Sequence, residues 1–226
     1  MWSISEIKEQ GKAAFKANYW PCVLMALLMS LFAGYSAATG SSQAPQQTDP
    51  NTTVANIDPK QAAAILAALG IFLVIGLLLR IFLANPIQVG GSTFFKSNVE
   101  APPAPFALIK TGFQNYGHTF VTLFLRDLYL FFWFLLLFIP GLIKAYSYRM
   151  VPYILAENPD MPANEIITRS REMMNGNKWQ AFLLDLSFIG WILLGCLTLG
   201  FGLIFWTTPY MQSSNAALYL KLKEQT

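Results

Sequence analysis

Of the 226 residues, 54% are hydrophobic and only 12% are charged, whereas a typical soluble domain carries about 25% charged residues. So little charge cannot cover a soluble surface of this size. A net charge of +3 is too small to argue for nucleic acid as a partner.

The first element is an amphipathic helix over residues 1–19. Ile4, Ile7, Gly11, Ala14 and Phe15 fall on one face, and Ser3 with Glu6 fits a capping box. An uncharged apolar run follows from Trp20 to Ala38, and another from Gln61 to Leu79. Each matches the roughly 20 residues that cross a hydrocarbon core of about 30 Å. Between them, residues 39–60 are rich in Ser, Gln, Pro and Thr, the composition of a polar external loop. A rival reading makes residues 1–38 a cleaved signal peptide ending at Ser36-Ala37-Ala38. The long polar leader with Glu6 and Glu9 argues against it.

Residues 100–117 and 160–178 predict two further surface helices, begun by Pro105 and Pro162. Each leads through an Asn and an aromatic residue into apolar sequence. Ile139-Pro140-Gly141 divides the middle apolar stretch. The run from Leu186 to Leu220 would make a rod of about 50 Å as one helix. It must break, and Gly200-Phe201-Gly202 is the place. The fold class predicted is all-α: one integral membrane domain over 1–226. Six transmembrane helices stand near 20–38, 61–84, 118–139, 141–157, 179–199 and 201–222, the alternative being four with two re-entrant segments, since 141–157 is short and contains Lys144 and Arg149. They form three hairpins, each preceded by an amphipathic stretch, so one unit occurs three times. Apolar faces of those stretches are expected against the membrane surface or against the bundle.

This topology puts Lys8, Lys12, Lys16, Lys96, Lys110, Arg169, Arg171, Lys178, Lys221 and Lys223 on one side, with only Lys60 opposite. The positive-inside rule then places both termini in the cytoplasm. Arg80, Arg126, Lys144 and Arg149 fall within proposed helices, as do Asp127 and Asp185. Charges at that depth are costly and tend to be functional. Arg126, Asp127, Arg149 and Asp185 form the candidate polar intramembrane cluster. It is either a cavity for an ion, headgroup or solute, or a set of ion pairs joining helices. Arg126 and Asp127 are neighbours about 100° apart on a helix, and so read as poor partners. Pro152 and Pro209 each precede a Tyr within a proposed helix, where proline kinks the axis. Cys22 and Cys196 lie in apolar runs and read as small buried hydrophobes. With one histidine, His118, no His-based metal site is expected. No phosphate-cradling Gly loop, HExxH or GxSxG is present, so no catalytic set and no cofactor is expected.

The runs FIPGLIKAYSYRMVPYILAENPDMP (138–162), ITRSREMMNGNKW (167–179) and FLLDLSFIGW (182–191) resemble the family termed domain of unknown function 975. SEIKEQGKAAFKANYW (5–20) fits it too, while 39–60 has no counterpart. The resemblance implies a multi-pass protein of the bacterial plasma membrane. It implies no activity and no catalytic residues. The family-like Glu157, Asn158 and Ser170, together with Lys178, read as a cytoplasmic corner, serving either docking or helix capping. The functional expectation is a non-enzymatic scaffold or accessory protein. Its partners would be membrane lipids and a protein at the cytoplasmic face. The alternative is a transporter or lipid-handling protein with a polar cavity.

Overall fold

The computed structural model describes residues 2–32, 82–198 and 200–225, and every regular element among them is helical. The first proposed span lies only partly in this set, and most of the second (61–84) and the loop 39–60 lie outside it.

Helix α1 (Ile4–Ala17) begins where expected, with the Ser3 hydroxyl accepting the Glu6 N–H. Its buried face is Ile7, Gly11, Ala14 and Phe15. That face is spent on the bundle, because α1 packs most extensively on the last helix. Helix α2 (Tyr19–Phe32) follows after Asn18. Helix α3 spans 82–100, and Ile87, Val89, Phe94 and Phe95 on it are buried.

The second surface segment, Phe106–Phe113, is a 3-10 helix rather than an α-helix. It lies flat on α3 because both sides carry glycine. A Cβ on Gly112 would collide with the Pro86 carbonyl, and one on Gly90 with that of Ile109.

Helix α4 (Tyr116–Leu136) ends at Leu137, whose backbone is extended, three residues before the expected break. Pro140 therefore falls in the first turn of α5 (Phe138–Ser147), where its missing N–H has no helical partner to lose. The proposed span 141–157 is also two elements, because Tyr148 to Met150 form a turn before α6 (Val151–Glu157). Pro152 stands at the start of α6 and Pro209 at the start of α10 (Thr208–Lys223). Pro152 occupies a first turn, the position proline tolerates best. Pro209 instead follows a π-helical turn inside a helical run continuous from 201 to 223, the local irregularity expected of proline in a helix interior.

Helix α7 (Ala163–Met173) is the third amphipathic element and buries Ile166, Ile167, Ser170 and Met173. Helices α8 (Lys178–Leu186) and α9 (Ile189–Leu197) follow, separated by a turn at Ser187-Phe188. The chain then reverses at Gly200, whose φ of +86° suits glycine. A π-helical turn, Leu203–Thr207, leads into α10.

Two helical stretches among the described residues, Tyr116–Leu136 and Lys178–Leu197, are long and apolar enough to cross a membrane. Burial divides the molecule unevenly. Nearly all of α10 from Pro209 to Leu218 is buried. Leu135, Leu136, Leu137, Phe138 and Ile139 are 65–72% exposed, and Leu197 is 81% exposed. An exposed apolar surface this continuous requires an apolar neighbour.

Candidate functional site

The polar cluster expected from the sequence divides into two ion pairs around one cavity. Arg149 sits in the turn between α5 and α6. Its Nη1 donates to Asp185 Oδ2 at 2.9 Å and its Nη2 to Asp185 Oδ1 at 2.7 Å, a bidentate fork. Asn215 of α10 accepts a further bond from Nη2. Tyr146 of α5 donates its hydroxyl to Asp185 Oδ2 at 2.9 Å, and the guanidinium carbon stands 5.6 Å from the Tyr146 ring centre. Helices α5, α8 and α10 are thus tied by one carboxylate and one guanidinium.

Arg126 and Asp127 were read as poor partners, and the structure overturns this. Arg126 Nε donates to Asp127 Oδ1 at 2.8 Å, and Nη2 stands 2.7 Å from the same oxygen. Directions of Cβ set where side chains start, but an arginine stem is long enough to fold back past its neighbour. The Arg126 side chain is 12% exposed and that of Asp127 is 53% exposed. The pair therefore straddles the boundary of the bundle. Arg126 Nη2 also reaches Gln88 Oε1 of α3 at 3.2 Å.

A cavity of about 210 Å³ lies between these two arginines, with Gln88, Ser92, Gln212 and Asn215 on its wall. Sequence reasoning named neither the two glutamines nor Ser92. They carry no charge, so nothing marked them among apolar neighbours.

The expected corner residues do not form one site. Glu157 closes α6 and gathers three donors: Lys96 Nζ at 2.9 Å, Lys223 Nζ at 2.8 Å and the Tyr219 hydroxyl at 2.8 Å. Its side chain is 13% exposed. Lys96 comes from α3 and the other two from α10, so three helices meet on one carboxylate. Tyr219 also stacks on Tyr153, with ring centres 5.0 Å apart. Asn158 caps α6 by donating to the Ile154 carbonyl at 3.1 Å. Ser170, fully buried, donates to the Ser147 carbonyl at 2.9 Å and pins α7 to α5.

Lys178 faces elsewhere. With Lys144, Arg171, Thr168 and Asn175 it lines a separate pocket of about 300 Å³. The largest described cavity, about 860 Å³, lies between α1, α3 and α10, with Gln10, Glu100, Lys221 and Glu224 on its wall. Beside it, Lys221 Nζ stands 3.0 Å from Glu6. That ammonium holds the Glu6 carboxyl below its ordinary value. Burial against Ser187 and Phe188 pushes the Lys8 ammonium below its ordinary value.

Among the described residues, no three metal-capable side chains come together. A family model described as "Protein of unknown function (DUF975)" matches residues 106–226. No curated protein and no solved structure matches the chain.

Proposed function

Starting from a chain that belongs to the DUF975 family, we propose that this is a multi-pass membrane protein of non-enzymatic, scaffold or accessory character. Its interior charges lock helices together. One observation carries the reading. Arg126, Arg149, Glu157 and Asp185 are each engaged by another side chain of the protein. A catalytic or transporting charge must be available to its substrate, whereas Arg149, Asp185 and Glu157 are committed to neighbouring helices and Arg126 to Asp127 beside it and Gln88 of α3.

In this reading the exposed leucines and phenylalanines of α4, α5 and α9 face lipid. Helix α4 enters the membrane and α5 returns from it, with Lys144 back at the level of Arg171 and Lys178. Helices α8 and α9 enter next, and residues 201–222 return. The expected first hairpin, 20–38 with 61–84, lies mostly outside the described residues. Both termini stand in the cytoplasm of a bacterial plasma membrane. The lysines and arginines outside the spans carry the orientation.

The test is oriented labelling. With Cys22 and Cys196 replaced by Ala, Ser42→Cys should react with a membrane-impermeant maleimide in intact cells. Gln225→Cys should react only in inside-out vesicles. Labelling of both from the same side would remove the six-span topology.

A second reading, binding of an anionic solute, is favoured by the cavity between Arg126 and Arg149. The two readings differ in whether water reaches Ser92.

A further inference from the structure

One basic pocket is left out of the locks. Lys144 of α5, Arg171 of α7 and Lys178 of α8 line the same 300 Å³ recess. The only carboxylate on its wall is Glu172, so cations outnumber anions by two. None of these three cations takes part in an ion pair among the described residues. Lys144 instead lies over the Trp133 ring, 4.6 Å from its centre. Thr168 and Asn175 add neutral hydrogen-bonding groups to the wall. Three cations from three helices, brought together without a matching set of carboxylates, repel one another unless an anion joins them.

A groove of about 310 Å³ adjoins this pocket and shares Lys178 with it. Its wall is almost entirely apolar: Leu142 and Ile143 on one side, Trp179 and Phe182 on the other. Trp179 and Phe182 stack with ring centres 5.4 Å apart. Trp179 is 69% exposed, and a tryptophan beside a cationic residue suits the boundary between headgroups and acyl chains. The two recesses together present a charged end and an oily end, side by side.

We propose that this double recess binds an anionic phospholipid, with its phosphate among Lys144, Arg171 and Lys178 and an acyl chain along Leu142, Ile143 and Phe182. The inference rests on the membrane reading above. It goes beyond it by naming a ligand class and a place. A free phosphate matches the pocket but leaves the groove unused. A lipid fills both, which is why the lipid is the occupant argued for.

The experiment uses the full chain in nanodiscs. Both sets contain phosphatidylcholine and phosphatidylglycerol in the same ratio, with the bromine on the phosphatidylcholine in one set and on the phosphatidylglycerol in the other. Quenching of tryptophan fluorescence, with Trp179→Phe as the reference, reports occupancy. Phosphatidylglycerol is expected to win over brominated phosphatidylcholine at this site. Arg171→Gln and Lys178→Gln should each weaken that preference about fivefold, and Phe182→Ala should weaken binding of both lipids. Lys12→Gln with Lys16→Gln, at exposed positions of α1, should leave the preference unchanged. Equal quenching by both lipids would overturn the proposal, as would equal loss in the α1 variant. Relief of the preference by millimolar inorganic phosphate with no dependence on Phe182 would assign the pocket to free phosphate. Resistance to carbonate extraction, scored on the same preparations, reports membrane insertion separately. A failed lipid preference in inserted protein therefore counts against this site alone.

Discussion

Replacing Glu157 by Ala should destabilise the protein more than any comparable change at an exposed carboxylate. Glu157 holds Lys96 of α3, with Lys223 and Tyr219 of α10, on one mostly buried carboxylate. Without it, Lys96 keeps, among the described residues, only the Glu100 carboxylate at 4.0 Å, while its side chain remains 16% exposed. Removing one partner of a buried pair typically costs 3–5 kcal/mol. Lys223 is 48% exposed and water already screens it, so a loss of about 2–3 kcal/mol is expected. For a chain of this length that is roughly 5–10 °C in Tm, read by thermal unfolding in detergent micelles. Glu165→Ala on the exposed face of α7 should stay within about 0.5 kcal/mol. Glu157→Leu combined with Lys96→Met should recover part of the loss, because removing both charges ends the desolvation cost. A Glu157→Ala protein with the parent Tm would contradict a lock at this position.

The second large effect concerns Arg149 and Asp185, and it is asymmetric. Asp185→Asn keeps the shape and the Tyr146 hydrogen bond but leaves the guanidinium without the Asp185 counter-charge. Arginine cannot escape by losing its proton, and the Arg149 side chain is only 14% exposed. A cost of about 3 kcal/mol is expected. Arg149→Met leaves Asp185, which is 30% exposed and still accepts from Tyr146. Water screens that carboxylate in part, so about half the cost is expected. The double change Arg149→Met with Asp185→Leu should cost less than the two single changes together, with a coupling of about 1 kcal/mol or more. Additive losses would show that the fork in the structure carries no mutual energy.

Much of the architecture was legible because it follows from composition and punctuation. Apolar runs marked the helices, Ser3 marked the start of α1, and Gly200 marked the reversal before α10. The split between α5 and α6 was not legible. Tyr148-Arg149-Met150 contains neither Gly nor Pro, and the turn there swings Arg149 toward Asp185 and Asn215. The prolines were legible in part. Pro140 marked a break that falls three residues earlier, Pro209 follows a π-helical turn within a continuous helical run, and Pro152, read as a kink, occupies a first turn.

The candidate site was legible in its members and not in its groupings. Arg149 and Asp185 were both legible as members, and the structure joins them in one fork. The meeting of Lys96, Glu157 and Lys223 depends on three helices distant in the chain, and no local pattern encodes it. Lys178 was grouped with Glu157 because both flank α7 in sequence. In the structure Lys178 belongs with Lys144 and Arg171, which the spacing along one helix could not reveal.

The central claim is that the charges inside the bundle hold it together and do not line a path for a solute. Ser92 is the most direct reporter, being 2% exposed and on the wall of the cavity between Arg126 and Arg149. In protein lacking Cys22 and Cys196, Ser92→Cys should resist a membrane-impermeant thiol reagent in both intact cells and inside-out vesicles. It should react fully once the protein is unfolded. Rapid labelling of the folded, inserted protein, blocked by an added anion, would contradict the claim and establish the cavity as a binding site.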